Sequence, residues 1–154
     1  MTLQALLLRA LPSVAPGGAF AESERRTLAA AATVLLEGSP VAVAPAEVVD
    51  AVERFLIAGR SKRAWRIRAL LTLVEWAPVT LRRKRFSKMS HDERRRLVTE
   101  RYITGKGVWA VCAKVRFIVY LGAYGSAKAH GPTGYVPMAA RPRLRERLAA
   151  GARA

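Results

Sequence analysis

The chain has 154 residues and a formal charge of +16 at neutral pH, from 27 Lys and Arg against 11 Asp and Glu. That length suits one domain with a real core, and the charge implies an acidic counterpart: nucleic acid, an anionic membrane surface or an acidic protein face. One cysteine, Cys112, and two histidines, His91 and His130, exclude an intramolecular disulfide, a tetrahedral Cys/His zinc site and a cysteine-held iron–sulfur cluster, and C-x-x-C-H for covalent haem is absent.

Near the N-terminus the apolar run Leu6-Leu7-Leu8 has Arg9 beside it and no positive residue ahead of it, unlike a secretory signal. Arg-Arg pairs fall inside predicted helices, away from a twin-arginine position, so the expectation is a cytoplasmic chain. Residues 1–19 read as a flexible segment, with Pro12, Pro16, Gly17 and Gly18 marking a loop.

Leu28, Ala31, Ala32, Leu35 and Leu36 are spaced for one face of a helix over about 22–37, ended by Gly38-Ser39-Pro40. Pro45 suits the first turn of a helix over about 45–58, with Val48, Val49, Val52, Phe55 and Leu56 on one side. A third helix runs from Ser61 into the low eighties with the stripe Ile67, Leu70, Leu71, Val74, Ala77 and Leu81, and Pro78 should interrupt it. Trp65 and Trp76 flank that stripe.

Ser90 and Glu93 have the S-x-x-E spacing of a capping box and predict a helix over about 91–103. Gly105 and Gly107 precede a last long helix over about 107–122, with Val108, Val111, Cys112, Val115, Ile118 and Val119 as its apolar face. Residues 123–140 mix Gly, Pro and Tyr in a strap incompatible with regular helix, and Pro142 starts a short arginine-rich helix. No strand pattern of useful length appears. The expected fold is all-α, five or six helices in one domain over residues 20–140, with a basic tail over 141–154. The apolar stretches 64–81 and 107–122 carry Arg66, Arg68, Glu75, Lys114 and Arg116. At about 3 kcal/mol per central charge, neither is expected to cross a membrane.

Chemistry-bearing residues are sparse. Cys112 lies on an apolar helix face and reads as an inert thiol. His91 falls in the first turn after Ser90, a position more often solvated than catalytic. His130 has no partner acid in view, and no paired carboxylate or Ser/His/Asp set supports autonomous catalysis. From Arg60 to Lys88 ten Lys and Arg stand against Glu75 alone. That stretch suits phosphates, with Trp65 and Trp76 as stacking platforms, but without a nucleic-acid-binding motif beside it a solvated face or an acidic protein partner is favoured. Their place beside an apolar stripe favours packing for the tryptophans. Tyr120, Tyr124 and Tyr135, with Pro132 and Pro137, form a second candidate surface, suited equally to protein docking and to an extended tail packing on its own domain.

One pattern joins these parts. Phe86, Met89, Ser90, Glu93, Arg94 and Leu97 at a helix start, an apolar helix, then Tyr124 with Ser126 and Gly134-Tyr135 with Pro137, resembles the gluconate 2-dehydrogenase subunit 3-like family. Members are small subunits of membrane-linked FAD-dependent sugar and alcohol dehydrogenases, and a related module precedes the flavin domain of long-chain fatty alcohol oxidases of the glucose–methanol–choline type. Phe20, Glu24, Arg25 and Leu28, followed by Val52 with Phe55-Leu56, are similar to the opening of that family. The same spacing makes residues 20–28 echo 89–97.

The resemblance implies a helical, non-catalytic chain that folds, stabilises or exports a flavoprotein large subunit. No cofactor is then expected in this chain; FAD belongs to the partner. Trp65, Trp76, Phe86, Arg94, Tyr120, Tyr124, Gly134, Tyr135 and Pro137 are the expected partner contacts. Many family members carry a twin-arginine signal, and the arginine content here exceeds what the role requires. The alternatives are a basic helical nucleic-acid-binding protein and peripheral attachment to an anionic membrane.

Overall fold

The first helix, α1 (Glu22–Leu35), starts where the Ala21 N–H donates to Glu24 Oε2 at 2.7 Å. This is half of a capping box, since alanine has no side-chain oxygen with which to answer. The computed structural model describes residues 11–59, 64–103, 105–125 and Pro132. Among them every regular element is helical, and the fold is all-α.

α1 is the centre of the core. Leu28, Ala31 and Ala32 are buried on it, and the small alanines let neighbouring helices approach closely. Gly38, at φ 74°, supplies the left-handed turn beyond its end. α2 (Pro45–Ala58) opens on its proline and buries Val48, Val49, Val52 and Leu56. Phe55, expected on the same side, points outward. α3 (Ala64–Trp76) ends before Pro78, as the ring requires, and α4 (Val79–Arg82) is a single turn. Arg83 then takes a left-handed conformation, φ 53°. The turn carries Leu81 out of the predicted stripe and leaves it exposed.

A 3-10 turn, Phe86–Lys88, leads to α5 (His91–Leu97), whose axis continues as a π-helical stretch over Val98–Tyr102. The capping box forms as the spacing requires: the Ser90 N–H donates to Glu93 Oε2 at 2.8 Å, and the Glu93 N–H to Ser90 Oγ at 3.2 Å. The last predicted helix is two, α6 (Val108–Cys112) and α7 (Val115–Tyr124). At the break the bonds tighten: Lys114 N–H to Val111 O, Arg116 N–H to Ala113 O and Phe117 N–H to Lys114 O. The tighter winding shifts the buried face. Cys112, Val115, Ile118 and Val119 stay inside while Val108 and Val111 are exposed, correcting the continuous stripe read from sequence.

α7 packs along α2 and α1. Gly122 makes this possible, since a Cβ there would lie 2.7 Å from the Val48 carbonyl oxygen. The tail helix from Pro142 and the strap beyond Gly125, Pro132 excepted, lie outside the described residues. Among the described residues no helix is long and apolar enough to cross a membrane.

Candidate partner-binding surface

Three buried or half-buried acids fix the framework that presents the surface. Glu75, on the core side of α3, accepts from the Ser87 hydroxyl at 2.7 Å, the Ser87 N–H at 2.9 Å and the Thr27 hydroxyl at 3.0 Å. It thereby ties α3 to α1 and to the turn before α5. Glu24 faces Arg68 of α3 at 3.0 Å, an ion pair nearly removed from water. Glu53 of α2 accepts from the N–H groups of Ala19 and Phe20 and pairs with Arg25, whose other arm reaches Asp50 at 2.7 Å. Such groups are costly to bury alone and stable only when satisfied, so they fix the relative placement of the helices they join. Arg25 is held charged more firmly than usual, chiefly by its hydrogen bond to Asp50.

Glu24, Thr27, Thr72, Glu75, Trp76 and Arg85 line a cavity of about 180 Å³. Both carboxylates are already committed, Glu24 to Arg68 and Glu75 to its three donors. The Thr72 hydroxyl is buried without a hydrogen-bond partner among the described residues.

The surface itself is on α7. Phe117, Tyr120, Leu121 and Tyr124 are 61%, 39%, 42% and 38% exposed, at i, i+3, i+4 and i+7 along one face. Singly exposed apolar residues are ordinary, but a continuous stripe of four large ones is not. The stripe is also ordered. The rings of Tyr120 and Tyr124 meet edge to face at 5.8 Å, the Tyr124 hydroxyl lies 3.2 Å from Ser39 Oγ, and the Arg116 guanidinium sits 5.0 Å from the Phe117 ring centroid. Phe117 and Leu121 were not singled out by sequence, yet their signal is legible: α7 is apolar on nearly every side, which a surface helix with one buried face does not need.

Of the expected contacts, Tyr120 and Tyr124 lie together on this stripe. Trp76 is half exposed on α3 under the Arg85 guanidinium, 4.1 Å away, and Trp65 is partly buried near Arg66. Arg94 is half-buried, its guanidinium donating to the Ala30 carbonyl at 3.3 Å. Phe86 needs correction. It is fully enclosed in the chain's own core, stacked on Tyr102, and has no surface to offer a partner. Gly134, Tyr135 and Pro137 lie outside the described residues.

Cys112 is buried, and desolvation pushes its thiol up to about 11. Burial likewise raises Tyr102 far above the usual phenol range. Among the described residues no group of His, Cys, Asp and Glu is placed to hold a metal ion. Compared with protein-family models, curated proteins and solved structures, the chain finds no significant match in any of the three.

Proposed function

We propose that this chain is a non-catalytic binding protein whose α7 face docks on a larger protein. The particular role proposed is the small accessory subunit of an FAD-dependent glucose–methanol–choline-type dehydrogenase or oxidase, stabilising the flavoprotein in the cytoplasm and reaching a membrane through it. The observation that carries the binding reading is the exposed stripe Phe117, Tyr120, Leu121 and Tyr124. Aromatic anchors on a pre-ordered helix lose little rotamer freedom on docking and dominate interface energetics. The flavoprotein assignment rests on the resemblance of residues 20–137 to the subunit 3-like family. The excess arginine would then meet an acidic rim, serving partner choice and association rate more than net affinity.

The test is affinity purification of the tagged chain from its native host, reading the eluate by absorption and mass spectrometry. A stoichiometric large subunit with bound flavin, lost from Phe117→Glu/Tyr120→Ala, is the expected result. A colourless eluate rich in nuclease-sensitive nucleic acid would replace the reading with the nucleic-acid alternative, for which the exposed Arg82-Arg83-Lys84-Arg85 run would supply phosphate contacts.

A further inference from the structure

A second feature lies away from the α7 stripe and is independent of the flavoprotein reading. Arg26 of α1, Lys88 of the 3-10 turn and Arg94 of α5 line one groove of about 300 Å³, with Ala29, Ala30 and Pro45 among its other lining residues and no acidic residue among the described ones. The volume is at the lower end of small-ligand sites. Like charges gathered from three separate elements repel one another, and among the described lining residues no carboxylate offsets them.

Four basic side chains are committed to acids: Arg25 to Asp50 and Glu53, Arg68 to Glu24, Lys84 to Glu93, and Arg95 to Glu37. Arg26 and Lys88 form no ion pair among the described residues. The groove is also positioned rather than incidental. Arg94 is held by bonds from Nη1 to the Ala30 carbonyl and from Nε to the Ser90 carbonyl, at 3.3 and 3.4 Å. Lys88 directly follows Ser87, which Glu75 clamps through both its N–H and its hydroxyl. The small side chains of Ala29 and Ala30 form part of the wall that the cations border.

We infer that this groove is an oxyanion site for a phosphate group, with Arg26, Lys88 and Arg94 as its ligands. A phosphate monoester carries close to two negative charges and several acceptor oxygens, matching the guanidinium fork of Arg26, the remaining N–H groups of Arg94 and the Lys88 ammonium better than a single carboxylate does. No aromatic ring is among the described lining residues, and without a platform for a base there a small phosphorylated molecule or a phosphate-bearing headgroup fits better than a nucleic-acid strand.

The test is isothermal titration of the full chain with inorganic phosphate against sodium chloride of equal ionic strength. Saturable phosphate binding is expected, weakened about tenfold or more by Arg26→Ala and by Lys88→Ala, and unchanged by Arg101→Ala, which removes an exposed arginine outside the groove. Both groove substitutions are at exposed positions, and far-UV circular dichroism confirms that each variant is folded. Vesicles with and without a phosphomonoester lipid separate the sources: Arg26-dependent binding confined to the former assigns the phosphate to a headgroup, and none assigns it to a soluble molecule. Absence of saturable phosphate binding, or equal weakening by Arg101→Ala, overturns the site. Either failure leaves the α7 docking face untouched.

Discussion

The Ser87 hydroxyl donates to Glu75 Oε1 at 2.7 Å while the Ser87 N–H donates to Oε2 at 2.9 Å, so one serine grips both oxygens of a carboxylate that is 7% exposed. Thr27 adds a third donor from α1, its single hydroxyl proton shared between Glu75 and the Ser23 carbonyl. The contact joins the helix before the basic run to the turn after it. It therefore fixes where α5 begins, and with it where Lys88 and Arg94 stand.

If hydrogen bonding is what matters at Glu75, its neutral isostere should keep most of it. In Glu75→Gln the amide oxygen accepts from the Ser87 N–H while the amide nitrogen donates to a rotated Ser87 hydroxyl. The expected cost is below about 1.5 kcal/mol, whereas Glu75→Ala, which strands the donors and opens a void, should cost about 3 kcal/mol. Urea midpoints at constant m-value report both. Equal losses would mean that the charge itself is required.

Tyr102 carries the opposite imbalance. Its ring stacks between Phe86, at 6.4 Å, and Trp109, at 6.2 Å, but its hydroxyl is buried with no partner among the described residues. Tyr102→Phe keeps the stacking and deletes the unsatisfied group, so thermal unfolding should show stability unchanged or raised by up to about 1 kcal/mol. A loss of similar size would mean that the hydroxyl is hydrogen-bonded in solution.

The helix starts were legible because their chemistry is local. Ser90 with Glu93, and Pro45 at a first turn, specify a helix whatever surrounds them. The break at Ala113-Lys114 was not, because both residues favour helix and no glycine, proline or cap marks the tightened turn there. Phe86 misled for a related reason: it belongs to a motif suggestive of binding, yet it serves as the core plug that anchors the turn before α5. Glu75 was hidden among arginines. Its meaning came from Thr27 and Ser87, distant in sequence, and a single acid on the Leu71–Val74 side of α3 was the one available signal.

Cys112 should behave as a reporter of folding. The thiol is fully buried and its pKa is pushed up to about 11, so near neutral pH almost no thiolate is present and reagents have no access. A thiol-reactive dye should leave the native chain unlabelled for as long as it stays folded, and label one site once denaturant is added. Fast native labelling would show that α6 opens readily from the core.

Gly122 sets how closely α7 lies on α2, and hence how the Phe117–Tyr124 face is presented. A Cβ at this position would meet the Val48 carbonyl oxygen at 2.7 Å, Val48 Cγ1 at 2.8 Å and Val52 Cγ2 at 2.9 Å. Alanine gains helix propensity over glycine, about 1 kcal/mol. The clash should outweigh that gain, because a backbone oxygen inside a helix cannot step aside as a side chain can. Gly122→Ala is therefore expected to destabilise by a net 1–3 kcal/mol or so. A double-mutant cycle with Val52→Ala should recover part of the loss by removing the Cγ2 contact, and the remainder belongs to the Val48 carbonyl. Full recovery would mean that α7 can pivot on α2, and that the docking face is set by side-chain packing alone.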